Sequence, residues 1–203
     1  MQSKQPMKDF VISLLENKLS ENYYYHNQEH TLYVTEIAVE IGRCEECTEK
    51  ELELLSLAAL WHDTGYIRIY NNHEEESCLL ARQYLPEYDY SSTDIDQVCS
   101  IIMATKMPQS PKTKLEEILA DADLEYLGTS LFETKADRLF KELQLINTSL
   151  TEEKWRSMQI LFLQNHRYFT GFCKENRENM KQMNLIATSI AAAFVYVPPY
   201  FAQ

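Results

Sequence analysis

The sequence predicts an all-α protein, and three observations carry that prediction. Only four glycines and six prolines occur in 203 residues. Leu, Glu, Ala and Ile are plentiful, and apolar residues recur at helical rather than alternating spacing. A β-rich chain of this size needs more turn residues. The length suffices to bury one sizeable core. With no internal repeat and no Gly-, Ser- or Pro-rich linker, residues 1–203 read as a single compact helical domain.

The elements follow in order. A first helix is expected over residues 6–19, where Phe10, Leu14 and Leu15 make an apolar stripe ending at Tyr23, Tyr24 and Tyr25. A second begins near His26 or Asn27. On it His30, Val34, Ile37, Ala38 and Ile41 share one face, so His30 points inward, and Gly42 ends it. Thr48 and Glu51 form a capping box ahead of LELLSLAALWHD, which is apolar on nearly every side and reads as the central buried helix, ending at Thr64 and Gly65. Asn71 or Asn72 is expected to cap a helix over residues 73–85, and Ser92 or Thr93 one that runs through Thr105. After a loop marked by Pro108 and Pro111, a helix over residues 113–127 stops at Gly128. Two or three more helices fill the remainder, one capped by Ser149 and Glu152. The last, LIATSIAAAFVYV, reads as a buried terminal helix stopped by Pro198 and Pro199.

Composition excludes some functions. A formal net charge of -12 disfavours a broad grip on a nucleic acid polymer or on anionic lipid, although a metal or a few basic residues can reverse the sign locally for a small anion. No apolar run approaches the roughly 18–20 residues that span a bilayer. Five cysteines is an odd number, and the N-terminus lacks the zones of a signal peptide, so a reducing cytoplasm and free thiols are expected.

Four polar residues stand where core side chains belong. His62 and Asp63 end a helix otherwise made of Leu, Ala and Trp, and a buried carboxylate without a partner is costly. His30 lies on the inward face of its helix. In ILADADLEYLG, Asp123 shares a face with Leu119 and Leu127, whereas Asp121 shares one with Glu117 and Glu125 and reads as solvated. Two imidazoles and two carboxylates suit a divalent metal and leave coordination positions free, the mark of a catalytic site.

The segments YHNQEH, ALWHDTGY, NNHEEES and DADLEYLG resemble, in order and spacing, the successive motifs of HD-superfamily phosphohydrolases. The resemblance covers residues 25–128, with residues 129–203 as a C-terminal helical extension. It implies one divalent ion, with Mn, Fe, Mg, Zn, Co and Ni not distinguished, held by His30, His62, Asp63 and Asp123. That ion would activate water for attack on phosphorus. His73 and Glu74 match a His-Glu pair found in part of the family and are expected to transfer protons or contact phosphate, alongside Asp63 as catalytic residues. Some members add histidines for a second ion. Ala104, Thr105 and Lys106 stand where one of these would be, which favours a single ion and disfavours cyclic-dinucleotide hydrolysis.

Lys106 and Arg68 are the candidate cations for a substrate phosphate. Cys44 and Cys47 lack a second ligand pair at zinc spacing. His166, Arg167, Arg177 and Lys181 receive no role. The expected activity is release of phosphate from a nucleotide or other small phosphorylated metabolite, with phosphodiester hydrolysis as the rival. A homodimer is the expected assembly. A metal-binding regulatory module and a structural protein whose inward polar residues satisfy one another remain the alternatives from other classes.

Overall fold

The apolar run after Thr48 becomes the axis of the molecule, described by a computed structural model over residues 6–195. Ten α-helices and no strand are found among the described residues. They are α1 (Met7–Lys18), α2 (Gln28–Cys44), α3 (Glu49–Trp61), α4 (His73–Tyr84), α5 (Ser92–Met103), α6 (Lys114–Leu124), α7 (Phe132–Ile146), α8 (Glu152–Asn165), α9 (Gly171–Asn176) and α10 (Glu178–Val195). Short 3₁₀ turns follow α3 (Thr64–Ile67), α4 (Leu85–Tyr88) and α6 (Glu125–Gly128).

α3 is central because nearly every side of it is apolar. Leu52, Leu54, Leu55 and the run from Leu57 to Trp61 are buried against α1, α2, α4, α5 and α6. Its start is the predicted capping box, with Thr48 Oγ1 accepting from Glu51 N and the Glu51 carboxylate accepting from Thr48 N. Asn27 caps α2 by accepting from Glu29 N and His30 N, which fixes where His30 enters the helix. A smaller apolar cluster of Tyr25, Tyr126, Leu127, Phe132, Ala136 and Leu163 joins the C-terminal helices to the rest. No helix among the described residues is long and apolar enough to cross a membrane.

Several boundaries differ from the sequence reading, each for a local reason. Gly42 does not end α2. It lies inside the helix, where an added Cβ would come within 2.8 Å of Leu52 Cδ2 and 2.9 Å of Leu55 Cδ1, so glycine serves the close approach of α2 to α3. α2 ends two residues later, and Glu46 takes a left-handed conformation (φ 55°) just beyond it. α5 is capped by Ser91 rather than Ser92 or Thr93, in a reciprocal box with Asp94, and it ends at Met103. Asn72 precedes α4 in a left-handed conformation, and its side chain accepts from Lys106 Nζ instead of capping. Thr151, not Ser149, caps α8.

Four helices, not two or three, follow residue 128. The terminal one is not buried: α10 packs on α8 and on the turn after α6, but Met183, Ile186 and Ile190 are exposed because its far side meets no neighbour among the described residues. Pro198 and Pro199 lie outside the described residues.

Candidate metal centre

Three helix ends supply the polar cluster. His30 comes from the first turn of α2, His62 and Asp63 from the end of α3, and Asp123 from the last turn of α6. The ends of α3 and α6 turn their partial negative charge toward the cluster, which favours a cation there. His30 Nε2 stands 3.1 Å from Asp123 Oδ1 and 3.4 Å from Asp63 Oδ2, and His62 Nε2 stands 3.2 Å from Asp63 Oδ2 and 3.6 Å from Asp123 Oδ1. One ligand atom each from His30, His62 and Asp123 falls within 4.8 Å of the others, and Asp63 stands beside both imidazoles.

Hydrogen bonding tests whether these donors suit an ion. His62 Nδ1 donates to Ala59 O at 2.7 Å, which leaves Nε2 with its lone pair turned into the cluster. His62 Nε2 and Asp63 Oδ2 are both buried, yet neither makes a hydrogen bond of good geometry. Buried polar atoms without partners are rare, and two aimed at one point fit a shared cation.

The charges agree. Burial opposes ionisation of Asp63, but His62, His30 and His73 around it outweigh burial and hold its carboxyl well below the usual range. Asp123 is lowered in the same sense, burial being overcome by His30 and His62. Burial opposes a charged His62, while Asp63 and Asp123 drive its pKa well above the ordinary value. The pocket therefore demands positive charge at its centre. A divalent ion would satisfy all four donors at once, as the mixed nitrogen and oxygen set allows.

His73 and Glu74 begin α4. His73 Nε2 lies 3.4 Å from Asp63 Oδ1 and 3.7 Å from Glu74 Oε1, and the Tyr66 ring stacks on its imidazole with centroids 3.9 Å apart. This helix is held against the His62-Asp63 turn by Ser77, whose Oγ accepts from Gly65 N and donates to His62 O.

A cavity of about 280 Å³ opens from Asp63, Asp123, His73 and Glu74 and runs between α7 and α8. Neither Lys106 nor Arg68 lines it. Lys106 is paired with Glu75 and Arg68 with Glu76, both at the surface. Sequence reasoning missed Lys135 on α7, which lies over the Tyr33 ring at 3.2 Å and flanks His30 in a second, smaller opening. Burial lowers its pKa to about 8, against the opposing pull of Asp123, Glu125 and Glu29.

His26 was also missed. It lines the main cavity, its Nδ1 2.5 Å from Glu142 Oε1 and its Nε2 3.3 Å from the Tyr66 hydroxyl. It lies just before α2 rather than on it, so helical spacing to His30 gave no signal. Glu142, 116 residues away, had none.

Asp121 is a correction. It is fully buried rather than solvated, and accepts from Phe169 N (2.9 Å), Thr170 N (2.8 Å) and Thr170 Oγ1 (2.6 Å), which ties α6 to the start of α9. Glu125 on the same face is buried with Arg177 and Tyr33. Lys181 donates to His166 O, and burial pushes the His166 imidazole down to about 4. Arg167 is exposed, and Cys44 and Cys47 are free thiols.

A helical bundle that gathers His, His-Asp and Asp from three helix ends has the architecture of an HD domain. The HD domain model matches residues 27–125, so that segment, just under half of the chain, is an HD domain, a type typically found in metal-dependent hydrolases. Two solved structures share the fold. A predicted HD-superfamily hydrolase from an uncultured Thermotogales bacterium is 20% identical, with 92% of this chain and 88% of that one covered at a TM-score of 0.55. Bacillus subtilis YpgQ, solved in complex with ADP, is 16% identical, with 95% and 99% covered at a TM-score of 0.66. No curated protein matches the chain.

Proposed function

We propose that the protein is a metal-dependent phosphohydrolase that releases phosphate from a nucleotide or another small phosphomonoester. The observation that carries this reading is the pair of buried atoms His62 Nε2 and Asp63 Oδ2, which crowd together without a well-formed hydrogen bond at a point that His30 and Asp123 also face. A divalent ion held by these four residues would supply Lewis acidity, polarising a phosphoryl oxygen and making water acidic enough to attack at neutral pH. The ADP bound to YpgQ supports a phosphate-bearing ligand for this fold.

The chain's own residues divide the remaining work. Asp63 faces His30 and His62 with one oxygen and His73 with the other, so it links the ion site to the proton-handling group. His73 Nε2 faces Asp63 Oδ1 and lines the cavity, so its imidazole is placed to hand a proton to the departing oxygen. Glu74, buried beside it, is placed to take up the proton that the attacking water releases and to pass it to His73. Ala104, Thr105 and Lys106 offer no histidine for a second ion, and this reading takes one.

The test is metal content of the purified protein, then hydrolysis of an aryl phosphate and a nucleotide panel with added Mn, Mg, Co or Ni. About one ion per chain with metal-dependent phosphate release is expected. Bound metal without turnover of any ester would instead indicate a regulatory module. No metal under any condition would overturn the reading.

A further inference from the structure

The cavity beside the metal centre has two unlike ends. One is the polar cluster just described. The other is made by α7 and α8, where Phe132, Trp155, Met158 and Phe162 face the space and Gln159 supplies a neutral amide. All five lie outside residues 27–125, so this wall belongs to the chain's C-terminal helices and not to the part that matches the family. At about 280 Å³ the cavity is near the lower bound of the roughly 300–1,000 Å³ usual for small-molecule pockets.

Charge decides what can enter. Among the described residues that line this cavity there is no Lys or Arg. Lys135 and Arg138 line the separate opening beside His30, and Lys106 and Arg68 are paired at the surface. Beyond the polar end, where the ion and His73 stand, a second or third phosphate would bring charge into an apolar wall with no Lys or Arg to meet it, in a chain whose net charge is already -12. A flat uncharged ring would instead bury its faces against Phe132, Trp155 and Phe162.

We propose that the α7–α8 wall selects the organic half of the substrate, an uncharged aromatic body joined to a single phosphate. This rests on the phosphohydrolase reading. In the reaction the water oxygen bonds to phosphorus as the ester P–O bond breaks. The alcohol takes a proton and leaves through the aromatic chamber, and inorganic phosphate is the other product.

Binding and turnover test the assignment separately. With the Mn-loaded full chain, 1-naphthylmethylphosphonate should bind at least about tenfold tighter than methylphosphonate by calorimetry. It should also quench tryptophan emission. The protein has two tryptophans and Trp61 is fully buried, so the quench should vanish in Trp155→Phe. The kcat/KM for 1-naphthyl phosphate should exceed that for glycerol phosphate, and a nucleoside monophosphate should be preferred over its triphosphate, each by about tenfold or more. Trp155→Ala should shrink the aryl preference. Met158→Arg, at a half-exposed position that tolerates a longer side chain, should raise the triphosphate-to-monophosphate ratio by about tenfold through a cation added to the wall.

Equal affinity for the two phosphonates, or a triphosphate turned over as well as its monophosphate, would overturn the assignment and leave the phosphohydrolase reading standing. Aryl-selective binding with no turnover of any ester would do the reverse.

Discussion

Replacing Gly65 by alanine should damage the centre without touching any metal-facing atom. A Cβ built there lies 1.9 Å from the His73 carbonyl oxygen and 2.8 Å from its carbon. An ordinary carbon–oxygen approach is about 3.3 Å, so the start of α4 must retreat by more than about 1 Å. Both colliding groups belong to the backbone, and no rotamer change relieves them. The retreat also stretches the 2.8 Å bond from Gly65 N to Ser77 Oγ and the 2.6 Å bond from Ser77 Oγ to His62 O. Overpacking of this kind costs about 1–3 kcal/mol, and each weakened buried hydrogen bond about 1 kcal/mol. Together with the two bonds this is a loss of roughly 3–5 kcal/mol, which lowers Tm by roughly 6–20 °C for a chain of this length. His73 moves with α4, and a displacement near 1 Å can cost on the order of 100-fold in turnover. Thermal unfolding and kcat measured with saturating Mn check both halves. A variant that melts within about 1 °C of wild type and keeps full kcat refutes the close-approach argument.

Two further predictions concern named carboxylates. Asp63→Ala should lose both metal retention and turnover, whereas Glu74→Ala should keep its metal and lose at least about 100-fold in kcat. Metal analysis of the purified variants decides this, and loss of metal from the Glu74 variant overturns the role given to that residue. Glu142→Ala should destabilise by roughly 2–5 kcal/mol, read by urea unfolding, because the buried carboxylate accepts from both Tyr25 N and His26 N. Burial opposes ionisation of Glu142, but its bonds to His26 and to these amides prevail and its pKa is lowered. A lowered carboxylate pKa contributes stability above the unfolded value of about 4.3, lost as pH falls through the folded one. The gap between wild type and variant should therefore be full at neutral pH and shrink below about pH 4; a gap that persists unchanged to about pH 2 contradicts the account.

The parts of the fold legible in the sequence are those set by local periodicity. The spacing of Val34, Ala38 and Ile41 turned His30 inward, and the uninterrupted apolar character of α3 marked it as the axis with His62 and Asp63 at its end. Asp121 shows where periodicity stops. A face carrying Glu117, Asp121 and Glu125 looks like a solvated one, but the residues around Phe169 and Arg177 cover Asp121 and Glu125 and satisfy their carboxylates with amides and a guanidinium. Polarity reports the need for partners, and water is only one of them. Lys106 and Arg68 show a different limit. Both lie near the motifs in sequence, but Glu75 and Glu76 on α4 engage them at the surface. His26 with Glu142, and the aromatic wall of α7 and α8, depend on residues brought together from far apart in the chain.

The bonds from Asp121 to Thr170 and from Glu142 to Tyr25 span 49 and 117 residues. On a ribosome adding about 5–20 residues per second, Asp121 waits roughly 2–10 s for its donors to be made. Glu142 is synthesised long after the amides it must reach. His30, His62, Asp63 and Asp123 all precede position 124, while the aromatic wall follows position 131. During synthesis the polypeptide thus passes through an interval in which the helix ends that carry His30, His62, Asp63 and Asp123 exist and the aromatic wall of the cavity has not yet been made.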